Sequence, residues 1–538
     1  MSWRLIAIVL LAGLLRLVWL DKYPAGFTPD EAAFGYNAYS ILKTGKDEWG
    51  TLFYKLPFTN LRSFGDYRYP AYVFLTIPSV AFLGLNEIST RLPNAILGTL
   101  SVISIYLLAA KLFPKKKPIY ISEVSALLIA VSPWHVSLSR GAFETNALTF
   151  FIPLAIYGLL SGKVLLSSTL LAVNFYTYAA ARFLTLPLVI ILLIFFAKNI
   201  NKKLFIISLI VLVLPGLISS IGKSGSRVSD VGIFNPTDNW REVSDKRFMA
   251  RGLGLDDKIA RIFNNKVVYL SSLFTANYLS YLSPQFLFTS GAGEGNYGIA
   301  PGQGLIYYFE IPLMLASLVY LIRHPSKKLY FIALLILISP IAAAMSKGPG
   351  YAANRAALMI PFLALSSSIG LFYILDASKK FLSAKHGSLI FILILTLSCS
   401  FFLENYLYNS QILLGRSRNY GIKELTTRLK EISEKYDQVN FSRSLSEPHI
   451  FVAFYTHYDP RQYQQASALW PRDVKFLDQY DGYFLGKYRF GDLHLEDKSS
   501  KRTLYVGKPQ DFPPDYPEYF HIDYLDGQSA IKVAQKLP

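Results

Sequence analysis

Pro70-Ala-Tyr-Val-Phe-Leu-Thr-Ile-Pro78-Ser-Val-Ala-Phe-Leu-Gly-Leu85 is the stretch on which the reading of this 538-residue chain turns. It is apolar, but its 16 residues fall short of the roughly 20 that cross about 30 Å of hydrocarbon, and it holds two prolines. Eleven further apolar runs lie around it, at about 3–20, 91–113, 119–138, 145–161, 164–181, 183–197, 203–221, 304–322, 329–345, 355–376 and 386–404. Four of the short connections between them are basic: Lys115-Lys116-Lys117; Lys198 with Lys202 and Lys203; Arg323 with Lys327 and Lys328; Lys379, Lys380 and Lys385. The positive-inside rule puts such clusters in the cytoplasm. All four meet it if 70–85 lies along or re-enters the membrane, and all four violate it if the segment crosses. The non-crossing reading places the N-terminus inside and everything after residue 404 outside.

Composition agrees with a lipid environment. Hydrophobic side chains make up 52% and charged ones 17%, with a mean hydropathy of +0.32, whereas soluble proteins carry roughly 25% charge. The expected fold is an α-helical polytopic membrane protein of about 11–13 transmembrane helices over residues 1–404, with external loops at 21–90 and 222–303. An external soluble α/β domain follows at 405–538. The first run lacks a small-x-small cleavage site and reads as an uncleaved helix. Within the tail a helix is expected near Ile422–Tyr436 and strands at Val439–Phe441, Ile450–Phe454 and Thr503–Val506. A terminal helix is expected near Gln528–Lys536. The tail is almost neutral, with 18 basic against 17 acidic residues, so +17 of the net charge of +18 resides in residues 1–404. That surplus is a topology signal and calls for no nucleic-acid partner. The single cysteine, Cys399, excludes an internal disulfide.

The first external loop opens with Tyr23-Pro-Ala-Gly-Phe-Thr28-Pro29-Asp30-Glu31-Ala-Ala-Phe34-Gly-Tyr36. Thr28-x-x-Glu31 is a capping box, with Pro29 at the favoured first helical position. That accounts for Glu31 and leaves Asp30 on the apolar edge with Phe34, Ala38 and Ile41. A first-turn carboxylate at a membrane surface, kept ionised by the helix dipole and partly dehydrated, suits a general base. Arg68 lies in the first external loop, in the cluster Arg62 to Pro70, and Arg140, Arg182 and Arg355 lie at outer ends of helices, with Lys347 in a glycine-rich turn. Gathered at one face, they would hold a phosphate whose lipid tail stays in the bilayer. No P-loop, H-E-x-x-H or Ser-His-Asp context is present. Acidic residues within the runs are confined near helix ends (Glu123, Glu310, Asp376), which weakens a proton-coupled transporter.

Further motifs fix a resemblance. They are Pro29-Asp30-Glu31 with Gly35-Tyr36; Arg68-Tyr-Pro-Ala-Tyr72 followed by Phe82-Leu-Gly84; Arg91-Leu-Pro93; Ser139-Arg140 with Glu144; Tyr176-Thr-Tyr178 with Arg182; and Asn354-Arg355 with Pro361. Residues 1–380 resemble the GT-C superfamily of membrane glycosyltransferases, in particular the group containing protein O-mannosyltransferases and the lipid A aminoarabinose transferase. The resemblance implies transfer of a sugar from a polyprenyl-phosphate donor to a glycan, lipid or protein acceptor at the outer face of the cytoplasmic membrane, with inversion. It implies Asp30 as base, Glu31 as supporting carboxylate, and Arg68 at the carrier phosphate, where the family more often has lysine followed directly by proline; here Tyr69 intervenes. Arg140, Arg182, Lys347 and Arg355 become phosphate or structural anchors. Glu144, Tyr69 and Tyr178 become supporting groups on the acceptor side or of metal-ligand type. Clustered arginines favour a mechanism with no metal or other cofactor.

Two other classes stay open on sequence: a lipid-linked glycan flippase, which needs no base at Asp30, and a non-catalytic envelope protein whose tail binds glycans. The glycine-rich stretch from Gly291 to Gly304 reads either as a connector or as a mobile lid.

Overall fold

The computed structural model describes residues 2–64, 66–114, 120–196, 200–221, 232–234, 236–346, 352–471, 477, 480–496 and 501–536. Lys115–Lys117, Lys198 and the Lys347 turn lie outside the described residues.

The chain is a mostly helical, multi-pass membrane protein. Among the described residues, six helices are long and apolar enough to cross a bilayer: Glu87–Leu112, Ala179–Phe196, Lys202–Ser219, Lys327–Ala344, Met359–Lys380 and one within Ala384–Ser417. The run expected at 119–138 is a broken span, Ile121–Val131 and Pro133–Ser139, bent by 57°. Pro133 causes the break, because it lacks the N–H that would continue the ladder. The fully buried Arg16, from the Trp3–Leu17 helix, repairs it by donating to the carbonyls of Ala130 (2.8 Å) and Ile129 (3.0 Å). The other expected runs form shorter helices: Trp3–Leu17, Ala147–Leu160, Val164–Phe175 and Glu310–Arg323.

The deciding stretch forms the helix Ala71–Leu83, 13 residues with Pro78 inside. At 1.5 Å per residue that is about 20 Å, too short to cross alone. Its buried side packs on the Pro29–Thr44 helix and on the start of Glu87–Leu112. Phe34 and Tyr72 rings lie 5.0 Å apart, and the Tyr72 hydroxyl donates to the Thr90 carbonyl.

No break separates the last span from the tail. Ala384–Glu404 continues through one π-turn, Asn405–Asn409, into Ser410–Ser417. Beyond it a six-stranded mixed sheet forms in the order β4-β5-β3-β6-β8-β7. Its strands are β3 Gln438–Ser442, β4 Tyr483–Leu485, β5 Tyr488–Gly491, β6 Thr503–Gly507, β7 Phe520–Asp523 and β8 Ser529–Gln535. The short ribbon of β1 Leu61–Ser63 and β2 Asp66–Arg68 belongs to the first loop. The expected helix at 422 forms as Ile422–Ile432, and the expected strands at 439 and 503 form as β3 and β6.

Two tail expectations are corrected. Ile450–Phe454 is helical, as part of Pro448–Tyr455; a short apolar run buried on all sides does not distinguish strand from helix, and Pro448 at the first turn favours the helix. Gln528–Lys536 is the strand β8, held between β6 and β7, so cross-strand pairing overrides local preference.

The Pro448–Tyr455 helix packs directly on Pro29–Thr44. Contact is close at Gly35, where a Cβ would come within 2.6 Å of the Phe454 ring. The tail domain and the first loop thus share one core.

Candidate functional site

Thr28 caps the Pro29–Thr44 helix as expected, in a reciprocal capping box with Glu31. Successive helical residues point about 100° apart, and this separates Asp30 from Glu31. Asp30 faces outward with 34% of its side chain exposed and pairs with Arg68 at 2.5 Å. Glu31 is fully buried. Its carboxylate accepts from Arg91 Nε (2.9 Å), Arg418 Nη2 (2.6 Å), and the backbone N–H groups of Thr28 and Ala142 (both 3.0 Å). Burial alone would raise the Glu31 carboxyl, but the guanidinium groups of Arg418 and Arg91 outweigh it and hold it at about 2. Glu31 is therefore a structural keystone linking the first loop, the Glu87–Leu112 helix and the tail.

Beside the Asp30–Arg68 pair lies a partly open cavity of about 170 Å³. Arg68, Tyr69, Glu144, Tyr178, Tyr297 and Arg355 are among its lining residues. Arg68 comes from the β1–β2 ribbon, and Arg355 from the turn Ala353–Ala356. Arg355 interacts with the Tyr178 hydroxyl. Arg182 does not line the cavity but stacks on the face of Tyr69, its guanidinium 4.2 Å from the ring centre. Five residues singled out in sequence, from four separate segments, thus meet at one cavity beside Asp30.

Arg140 does not join them. Arg140 is buried and spends its guanidinium on the carbonyls of Leu15 (2.7 Å), Val18 (2.7 Å), Trp19 (3.1 Å) and Tyr23 (3.3 Å). It caps the open end of the first helix, where carbonyls lack helical partners. Lys347 lies outside the described residues.

The structure adds Glu294 and Tyr297, from the glycine-rich stretch. Glu294 interacts electrostatically with both Arg355 and Asp30, and Asn296 Nδ2 donates to it at 3.2 Å. Burial pushes its carboxyl up, Arg355 and Asn296 pull it down, and the charge of Asp30 adds to the rise. An acidic residue flanked by glycines, Gly293-Glu294-Gly295, was the available signal. Glycines at the ends of this loop serve close packing: a Cβ on Gly291 would lie 1.9 Å from the Gln303 carbonyl oxygen, and one on Gly304 2.2 Å from that of Phe288.

The arrangement offers a part-exposed carboxylate beside a cavity with guanidinium groups on different walls. It can hold an anion and take up a proton a short distance away.

No protein-family model matches the sequence, and no curated protein is significantly similar to it in sequence. Structural similarity extends over almost the whole chain. ArnT from Cupriavidus metallidurans bound to undecaprenyl phosphate superposes with a TM-score of 0.53 at 12% identity, covering 98% of this chain and 97% of that one. The same protein in its apo state gives 0.54. The oligosaccharyltransferase AglB from Archaeoglobus fulgidus gives 0.46 at 15% identity over 84% of this chain and 64% of that one. The span arrangement, the helical first loop and the sheet domain packed upon it together make up a GT-C fold.

Proposed function

We propose that this protein is an inverting glycosyltransferase that moves a sugar from a polyprenyl-phosphate donor to an acceptor hydroxyl at the outer face of the cytoplasmic membrane. The observation that carries this reading is the meeting of Arg68, Arg355, Tyr178 and Glu144 at one cavity beside Asp30. The GT-C fold supports it, as does the undecaprenyl phosphate bound by the structurally similar ArnT.

In this mechanism Arg68 and Arg355 bind the donor phosphate by charge-assisted hydrogen bonds, with Arg182 adding positive charge from behind Tyr69. Phosphate competes with Asp30 for Arg68, and its arrival leaves the Asp30 carboxylate able to accept a proton. The acceptor oxygen attacks the anomeric carbon from the face opposite the phosphate. Its C–O bond forms as the sugar–phosphate bond breaks, the hydroxyl proton passes to Asp30, and the carrier phosphate leaves with the electron pair. Arginines stabilise the charge that develops on the leaving group, which is the task a divalent ion would otherwise perform. Glu144 and Glu294 face the acceptor side, where carboxylates can bind sugar hydroxyls.

Asp30→Asn tests the centre of this reading. With undecaprenyl-phosphate sugars as donors, transfer should fall by about 100-fold or more, the usual range for loss of a general base. Binding of undecaprenyl phosphate should persist. Near-normal transfer by the variant would remove Asp30 from the role of base.

A further inference from the structure

We infer that Arg418, supplied by the C-terminal domain, is a positioning residue for this site. It is fully buried where the Ser410–Ser417 helix ends. Its guanidinium donates to Glu31 (2.6 Å), to the Asn296 carbonyl and to the Ala25 carbonyl (3.3 Å), and it lies 5.3 Å from the centre of the Phe143 ring. Its own carbonyl accepts from Phe27 N at 2.6 Å. These contacts fall next to the site groups in the chain: Glu31 follows Asp30, Phe143 precedes Glu144, and Asn296 lies two positions after Glu294 and directly before Tyr297. One side chain therefore fixes three segments relative to one another.

Charge balance alone does not call for this residue, because Arg91 already pairs with Glu31. What Arg418 adds is a planar fork whose separate N–H groups reach Glu31 and the loop together. The base of the loop is closed by backbone contacts, such as Gly302 N to Ser290 O at 3.0 Å. Its tip, which carries Glu294 and Tyr297, is tied down by Arg418 and by the Tyr297–Phe143 ring contact (5.4 Å). Lysine would keep the charge at Glu31 and lose the second reach.

The test compares wild-type, R418K and R91K full-length protein in detergent, with E31Q/R418Q, which removes the Glu31–Arg418 pair together and leaves Arg91 on its carbonyl partners, serving if R418K does not fold. Proteolysis between Gly291 and Gly304 needs no substrate. In R418K, with Tm close to wild type, cleavage should quicken by about tenfold as the tip opens locally. R91K should keep wild-type protection. The second measurement rests on the proposed transfer reaction: with undecaprenyl-phosphate sugars, kcat of R418K should fall by about 100-fold, the scale of a small misplacement at a reacting centre, while KM for the donor changes little. Wild-type cleavage in folded R418K, or in the double variant, would overturn the positioning role. If the wild-type protein transfers no sugar, the proposed reaction falls and the cleavage comparison still decides the role of Arg418.

Discussion

Asp30 and Glu31 share a helical turn and have different surroundings. Asp30 is part-exposed beside a cavity, whereas Glu31 is enclosed by two guanidinium groups that are themselves fully buried. Removing one member of a buried ionic cluster leaves the others uncompensated, so Glu31→Ala should destabilise the protein by about 3–5 kcal/mol. Unfolding in detergent, followed by tryptophan fluorescence, measures this. The same group sets an acid limit. Its carboxyl is lower in the folded protein, at about 2, than its ordinary value of 4.5. Its stabilisation is therefore present in full above about pH 4.5 and is lost as pH falls toward 2. Over that window Tm of the wild type should drop, and Glu31→Gln should flatten the drop. The capping box was legible in four consecutive residues, Thr28 to Glu31. The ion pairs were not, since Arg91 and Arg418 lie 60 and 387 residues from Glu31, and no local pattern encodes a partner at that separation.

Elements were legible where a run was long and its periodicity unambiguous. The long apolar helices and the 422 helix follow from pattern, while the 450 and 528 segments changed type once their neighbours covered them on both sides. Helix pairing was not readable at all. The Glu310–Arg323 and Met359–Ala377 helices pack so closely at Gly370 that a Cβ there would lie 1.7 Å from the Leu313 carbonyl oxygen. Gly370→Ala must push the two helices apart and should cost roughly 1–3 kcal/mol or block folding. Gly13→Ala is the matched control, because its Cβ would meet nothing nearer than 3.8 Å, and alanine has the better helix propensity. Size-exclusion profiles and thermal melts of the two variants give the comparison. Arg140 belongs to this scale as well: a cation at an outer helix end suggested a ligand, and the open carbonyls of the first helix proved to be its partners.

At the scale of the molecule, the tail helix Pro448–Tyr455 and the first loop share a core, and Arg418 extends that contact to Glu31 and the Asn296 carbonyl. The proposed sidedness rests on the lysine clusters in the sequence. In a Cys399→Ser background, an impermeant thiol reagent added to intact cells should label Lys430→Cys, exposed on the tail, and spare Lys380→Cys, exposed beside the Met359–Ala377 helix. The reverse pattern would invert the proposed orientation. Sequence by itself determined the solvent, the class of fold, the capped helix carrying Asp30 and the shortness of the apolar segment at 70–85. Each of these follows from composition or from spacing within a few turns. Only the tertiary structure decided which arginines face the cavity, that Glu31 is held in an ion cluster, and that the tail packs on the first loop. Those depend on contacts between residues far apart in the chain, which packing creates and local sequence does not record.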